Sequence, residues 1–268
     1  MERAAEPSRG ATLGELPILT TELTCQIERQ FFPAADSPGV RLFGKTLAKR
    51  VAGPWPPSAV YGFNGDDVGR LPEILSFFGD KPPVFYLSHA GFTPELAGAL
   101  REAGYAPRDW NQTILYGLPL ADALPSPPNI SVERVTAASL EAAAEVAARG
   151  NGWAKEWREN AQRGFCSSLG RPGFHLYLAR LDGEPAGVAD LSVAANGWGM
   201  LGGAAVVPEF RNRGLHACLI QFRLRELHEL GCPLVVGAAN FDSASFRNQQ
   251  RLGLRLAYVE AAWARRGG

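Results

Sequence analysis

MLGGAAVVPEFRNRGLHACLIQFRLRELHEL, residues 200–230, is the stretch whose reading decides the fold. Met200 to Val207 is apolar and rich in small residues, the composition of a buried strand, and it ends at Pro208, which cannot donate to a ladder. Arg211-Asn212-Arg213-Gly214 is a basic turn. Beyond it Ala217, Ile220, Leu224, Leu227 and Leu230 recur at near-helical spacing, with Gln221, Arg223, Arg225 and Glu226 between them as the polar face. A strand feeding a helix through a glycine turn binds phosphate well. The first helix amides lack carbonyl partners, the helix dipole favours negative charge there, and glycine admits close approach. Two arginines add charge at the same point.

The rest of the chain gives this turn its setting. Lys plus Arg equals Asp plus Glu at 27 each, so no global field draws the protein to nucleic acid or an acidic membrane, and electrostatic recognition has to be local. Cys25, Cys166, Cys218 and Cys232 form no C-x-x-C pair, and His89, His175, His216 and His228 are dispersed; reduced thiols and no metal site are expected. The first residues lack the apolar core of a signal peptide and no stretch reaches membrane-span length, so a cytoplasmic protein, monomer or homodimer, is expected.

PLADALPSPPNI, residues 119–130, carries four prolines and reads as a stiff linker, placing domains at 1–120 and 130–268 around a linker at 121–129. In the second, a strand at 130–135 precedes an alanine-rich helix at 138–148 and a second helical region at 152–164. Strands at 174–181 and 187–194 flank the Asp182-Gly183-Glu184-Pro185 turn, and Asn196-Gly197 is a hairpin signal leading into the opening strand. Residues 234–236, 243–252 and 256–263 read as strand, helix and strand. In the first domain, residues 13–32 are helical in pattern, 40–43, 47–51, 59–63, 84–87 and 112–116 are strand candidates, and Pro94 to Ala103 is a helix ended by Gly104.

The halves echo each other. Val84 to Gly104 and Leu234 to Gly253 each run from a strand to a helix-ending glycine, with separations differing by one residue, and a final strand follows in both. In that register the counterpart of the Arg211–Gly214 turn falls near Asn64 to Gly69 and carries Asp66 and Asp67. Carboxylates repel a diphosphate, so the chemistry is expected in the carboxyl-terminal half.

Val207-Pro208-Glu209-Phe210-Arg211-Asn212-Arg213-Gly214-Leu215 resembles the coenzyme signature of the GCN5-related N-acetyltransferases, R/Q-x-x-G-x-G/A, and the order of elements from Ile130 to Trp263 is similar to that fold throughout. The resemblance implies an α/β (α+β) protein of two tandem domains, the first degenerate, each a mixed, mainly antiparallel sheet flanked by helices. It implies acetyl-CoA as cosubstrate and direct transfer of acetyl to an amine of a small molecule or a protein. Ala205, Val206 and Val207 would offer backbone groups to the thioester, Arg211, Asn212, Arg213, Gly214, Leu215 and His216 would hold the diphosphate, and Asn240 would contact the coenzyme arm or cap the next segment. Two positions depart from the family pattern: His216 stands where a small residue is usual, and Gln249 stands where many members carry a tyrosine acid.

The chemistry sets further requirements. An alkylamine with a reference pKa of about 10.4 must lose a proton, which costs roughly 4–5 kcal/mol at neutral pH, whereas a thiolate with a pKa of about 8.5 leaves readily. The missing tyrosine is therefore survivable, with Ser245, Asn248 or a water as substitutes. Asp190 is a base candidate that could equally make a structural hydrogen bond, and Glu209 reads as a solvated loop carboxylate. Trp153, Glu156 and Trp157 either shape the acceptor pocket or serve as packing and surface charge. A non-catalytic coenzyme A-binding or regulatory module is the competing reading. A P-loop nucleotidase is set aside, because G-x-x-x-x-G-K-[ST] is absent.

Overall fold

The computed structural model describes residues 15–30, 39–51, 58–89, 91–120, 122 and 125–266. In chain order its elements are α1 (Thr21–Gln30), β1 (Val40–Phe43), β2 (Thr46–Lys49), β3 (Ala59–Tyr61), α2 (Leu71–Phe78), β4 (Val84–Ser88), α3 (Pro94–Glu102) and β5 (Tyr105–Gly117). There follow β6 (Ile130–Arg134), α4 (Leu140–Asn151), α5 (Lys155–Ser168), β7 (Phe174–Leu181), β8 (Glu184–Val193), β9 (Gly199–Val206), α6 (Leu215–Glu229), β10 (Val235–Asn240), α7 (Ala244–Arg251) and β11 (Arg255–Arg265). Gly65–Arg70 and Pro208–Phe210 are 3-10 turns.

Contacts divide the chain into two units. One holds Ile18–Ile114, Ala239–Phe241 and the chain from Leu256 onward; the other holds Leu115–Ala238, Asp242–Arg255 and the chain up to Pro17. The units therefore interleave along the sequence instead of meeting at one boundary, and β11, which belongs by position to the second half, counts with the first.

In the amino-terminal unit β1, β2 and β3 pair antiparallel, β3 runs parallel to β4, and β11 lies antiparallel on the far side of β4. One face of this sheet carries the core. Phe43, Val60, Phe63, Phe85, Leu87 and Trp263 pack against Ile74 and Phe78 of α2 and Leu96 and Leu100 of α3. Trp263 stands opposite Phe85 on the β4–β11 ladder and is 1% exposed, so the final strand supplies the largest side chain of a core built otherwise from residues 43–105. Thr93 caps α3 by accepting from the Leu96 amide, and Gly104, at φ +84, ends the turn that follows it.

In the other unit β6, β7, β8 and β9 pair antiparallel and β10 joins β9 in parallel. Ala143, Val146 and Ala147 of α4 cover Leu176, Leu178, Val188 and Ala205. The two expected hairpins turn through Asp182 and Gly183, both at positive φ, and through Gly197 at φ +82. Within the expected linker, residues 121, 123 and 124 lie outside the described residues; beside them the Leu120 amide donates to Leu224 O and Ser126 approaches Gln221, so α6 holds this stretch.

Some element bounds differ from the sequence reading. Residues 15–20 are coil and α1 starts only at Thr21, where the Thr20 hydroxyl accepts from the Leu23 amide and so caps the helix late; residues 13, 14, 31 and 32 of the expected helix lie outside the described residues. The acidic Asn64–Asp67 stretch is a 3-10 turn because Asp67 is buried and structural: its carboxylate accepts from the Lys45 amide and the Thr46 hydroxyl. On α6 Leu230 is 48% exposed, while Arg223, assigned to the polar face, is 2% exposed.

Replacing Trp263 by Ala removes the anchor that β11 brings to the amino-terminal core and is expected to cost about 3–5 kcal/mol of that unit's stability. Urea denaturation followed by amide hydrogen exchange at Phe85 and Leu87 reads this loss directly.

Candidate functional site

The site begins where two strands part. β9 keeps its ladder with β8 as far as Val206, but its parallel register with β10 runs only through Gly199, Met200 and Leu201. Opposite Asp190 the β8–β9 register slips: Ala189 faces Ala204 and Leu191 faces Leu201, so Gly202 and Gly203 together oppose one residue. This is a β-bulge, and bulges bend a strand away from its neighbour. Glycine is required at 202, because a Cβ there would lie 1.7 Å from Asp190 Oδ2.

Arg223 clamps the bulge from below. Its Nε donates to Leu219 O, and its Nη1 donates to Asp190 O at 2.8 Å and reaches Gly202 O at 3.4 Å. Burial lowers the Arg223 pKa to about 10, with the Asp190 carboxylate working in the opposite direction. Burial likewise raises Asp190 to about 6, opposed by Arg223 and by a hydrogen bond from the Gly203 backbone.

Alternation along the ladder decides which β9 amides are available. The Val207 amide donates to Ala186 O at 2.9 Å, so Val207 and, two residues back, Ala205 turn their amides toward β8. Ala204 and Val206 turn theirs the other way, toward the side that β10 has left. The Val206 carbonyl on that side is taken by Arg211 Nε at 3.2 Å, which leaves the Val206 amide as the donor there.

Below the parted strands lies a cleft of about 660 Å³. Ala204, Ala205 and Val206 form one wall, and the turn with the start of α6 forms the next, through Arg211, Asn212, Gly214, Leu215 and His216. Ser245, Arg247, Asn248 and Arg251 of α7 close the third side. Asn212 at φ +63 and Gly214 at φ +86 are both left-handed, and no side chain caps the amino end of α6, so its first amides stay open. Arg211 Nη2 donates to Gly150 O at 2.8 Å and ties the turn to the end of α4.

The α7 wall is a connected set of hydrogen bonds. Arg251 Nη1 donates to Asn248 Oδ1 at 3.2 Å, which directs Asn248 Nδ2 toward His216 Nδ1, 3.1 Å away. Nδ1 therefore accepts and the imidazole carries its proton on Nε2. Burial, reinforced by the charge of Arg223, pulls the His216 pKa down to about 4, so the ring is neutral at physiological pH. Gln249 is turned inward instead: its Nε2 donates to Ala238 O at 3.3 Å and to Ser245 Oγ at 3.2 Å. Ser245 thus accepts through oxygen and keeps its own proton to donate.

Of the residues named from sequence, the cleft gathers Ala205, Val206, Arg211, Asn212, Gly214, Leu215, His216, Ser245 and Asn248. The remaining four do not line it. Asp190 is buried beneath the bulge, and the Val207 amide is spent on Ala186. Arg213 points outward, with its guanidinium 5.9 Å from the Phe210 ring centroid, and Asn240 is exposed at the end of β10. Glu209 pairs with Arg149 and is half exposed, as a loop carboxylate should be. Trp153 is 37% exposed, and the side chains of Glu156 and Trp157 lie outside the described residues. Sequence reasoning missed Ala204, Arg247 and Arg251. Strand alternation from Pro208 and the i, i+4 spacing of the two arginines were the available signals. Among the described residues no three His, Cys, Asp or Glu side chains gather to hold a metal, and no helix is long and apolar enough to cross a membrane.

The Acetyltransferase (GNAT) family model matches residues 139–253. A GCN5-related N-acetyltransferase from Kribbella flavida is similar in structure with a TM-score of 0.69 and 20% identity, over 91% of this chain and 96% of that one. A tandem GNAT protein from the clavulanic acid biosynthesis pathway gives 0.61 and 19%, over 90% and 86%. A GCN5-related N-acetyltransferase from Sphaerobacter thermophilus gives 0.58 and 16%, over 82% and 76%. No curated protein matches the chain.

Two outcomes are expected. His216 should titrate near pH 4 by NMR. Since its folded pKa is depressed below the unfolded value, the stability linked to it is present above about pH 6.5 and is lost as pH falls toward 4. Arg223→Met leaves two backbone carbonyls unpaired and should cost about 3–5 kcal/mol in chemical denaturation.

Proposed function

We propose that residues 139–253, a domain of the GNAT acetyltransferase family, transfer an acetyl group from acetyl-CoA directly to an amine of a small molecule or a protein. The observation that carries this reading is the composition of the cleft: three guanidinium groups, of which Arg247 is paired with Asp242, an uncapped helix start, two left-handed turn residues and, among the described residues, no carboxylate in the lining. That donor set suits a diphosphate. Backbone amides at Leu215, His216 and Ala217 offer directional donors, while Arg251 adds positive charge from α7 and Arg247 is held beside it by Asp242 at 2.8 Å. Arg211 contributes charge too, but its hydrogen bonds go to Gly150 O and Val206 O, so its larger role is to hold the turn against β9.

The parted strands suit the acyl end. Beyond Leu201 the amides of Ala204 and Val206 face the cleft without a β10 partner in register, and small side chains at 202–205 leave room for an extended arm. An amide held in this way is preorganised to meet the charge that develops on a thioester oxygen under attack. In the transfer the amine nitrogen forms a bond to the acyl carbon, the carbon–sulfur bond breaks with its electron pair on sulfur, and the amine sheds one proton. Ser245 and the neutral His216, through Nε2–H, are the donors positioned to meet that sulfur. Asp190 acts through the bulge: its carboxylate accepts from Gly203 and stabilises the bend that turns the next amides into the cleft.

The family copies divide at 121–129, the first spanning 1–120 and the second 130–268, with β11 packed into the sheet of the first. A cytoplasmic location and a monomeric or homodimeric state complete the proposal.

A second reading, a coenzyme A-binding module without catalysis, is favoured by one observation. The position of the family's tyrosine acid is filled by Gln249, which is buried and engaged with Ala238 and Ser245, and among the described residues no carboxylate lines the cleft to act as base.

Calorimetry with acetyl-CoA followed by thiol-release assays over an amine panel separates the two. Saturable binding with thiol release on at least one amine is the expected result, and binding without release on any amine supports the module. Arg251→Glu and Arg211→Glu should each weaken binding by roughly 10- to 100-fold, the worth of a charge-assisted contact. Affinity unchanged in both variants would remove the basis of either reading.

A further inference from the structure

Helix α4 ends against β9 with no side chain between them. Gly150 is the penultimate residue of that helix and its backbone is helical, a conformation in which alanine is the better residue, so its own dihedral angles do not call for glycine. Its neighbours do. A Cβ at position 150 would lie 2.8 Å from Ala205 Cβ, 3.2 Å from Val206 N and 3.3 Å from Ala205 C, pressing on the peptide that joins those two residues. On its other edge the same stretch is held to β8, where Val188 faces Ala205 and Gly187 faces Val206. The peptide therefore has little freedom to retreat.

A second tie runs through the basic turn. Three of the last four carbonyls of α4 are taken up: Ala148 O by the Trp153 amide, Arg149 O by the Gly152 amide and Gly150 O by Arg211 Nη2 at 2.8 Å. Arg211 Nε donates to Val206 O at 3.2 Å, so one guanidinium joins the end of α4 to the carbonyl of Val206. The charge suits that place, because the carboxyl end of a helix carries the negative end of its dipole. Gly150 thus bears on the peptide before Val206, and Arg211 holds the peptide after it. All three residues line the cleft.

We propose that Gly150 is a positioning residue for the transfer, an inference that rests on the acetyltransferase reading above. By letting the helix touch the peptide before Val206, it fixes the direction of the Val206 amide, the donor that the parting of β9 from β10 leaves open to the acyl-bearing arm. A methyl group at 150 tilts that amide and removes no charge from the cleft. Direction matters here, since a hydrogen bond weakens steeply as its angle departs from linear, and a preorganised donor contributes only where it already points.

The test compares the full chain with Gly150→Ala, and takes Gly98→Ala as control. Gly98 is also a helical glycine, in α3, but nothing lies within 4 Å of the place its Cβ would take. Both variants gain helix preference, and only the first meets a neighbour. Saturating coenzyme A should shift the Val206 amide proton downfield in the parent and in Gly98→Ala, and by less than about half as much in Gly150→Ala. Thiol release from acetyl-CoA should fall about tenfold in kcat/KM in Gly150→Ala and stay unchanged in Gly98→Ala. Adding Ala205→Gly to Gly150→Ala removes the nearest obstacle and should recover about threefold of the loss; it also carries the test if Gly150→Ala alone does not fold. The inference is overturned if Gly150→Ala keeps the parent's amide shift and rate, if Gly98→Ala loses as much, or if the double variant is no better than the single. The Val206 shift needs binding alone, so it decides the matter even where no amine turns over. A parent that neither binds coenzyme A nor releases thiol overturns the acetyltransferase reading itself, and this inference with it.

Discussion

Strand β9 stays bonded to β8 through Val206 but leaves β10 after Leu201, and everything in the cleft below them depends on that parting. A continuous ladder would spend every β9 amide on a neighbour. The bulge at Gly202–Gly203 prevents this by adding a residue on one side only, and it is costly, since it buries Asp190 and draws on the Arg223 guanidinium to satisfy the carbonyls it frees. Stability and function are joined at one point: the side chains that hold the bend never touch the cleft, yet they decide which amides do.

Around that opening, charge is arranged by position more than by count. The chain as a whole is electrically balanced, with 27 residues of each sign. Arg211, Arg247 and Arg251 nevertheless line one cleft with no carboxylate among its described lining residues, while Glu28 and Asp66, with Lys45 paired to Asp66, line a second in the amino-terminal unit, beside β3 and β4. The same strand-parting geometry in both units thus presents opposite electrostatics. A fold that leaves two parallel strands unpaired at their carboxyl ends supplies space and backbone donors; the side chains around it set the electrostatics of that space.

The elements most legible in the sequence were those with short-range causes. Pro94, Asn196-Gly197 and Asp182-Gly183 announce a helix start and two turns because a few adjacent atoms settle them. The fold of residues 130–254 followed from such signals together with the periodicity of α4 and α6. Arg223 was misassigned because its neighbours in sequence are polar, and its long-range acceptors, Asp190 O and Gly202 O, lie on two strands 33 and 21 residues away. Val207 was chosen as a donor because the strand could be located but its pairing could not. Once Val207 is found bonded to Ala186, alternation moves the open amides to Ala204 and Val206.

By itself, the sequence determined that the turn at 211–214 is basic, contains a glycine and is followed by a helix, and that its counterpart near 64–69 is acidic. Those properties reside in residue types and in backbone preferences that each residue carries wherever it goes. Tertiary structure alone decided that β11 completes the amino-terminal core through Trp263, that Arg247 and Arg251 face the turn from α7, and that Glu260 is buried opposite Ser88. Each of these joins residues far apart in the chain, and the free energy of such contacts comes from burial and pairing that no local stretch contains.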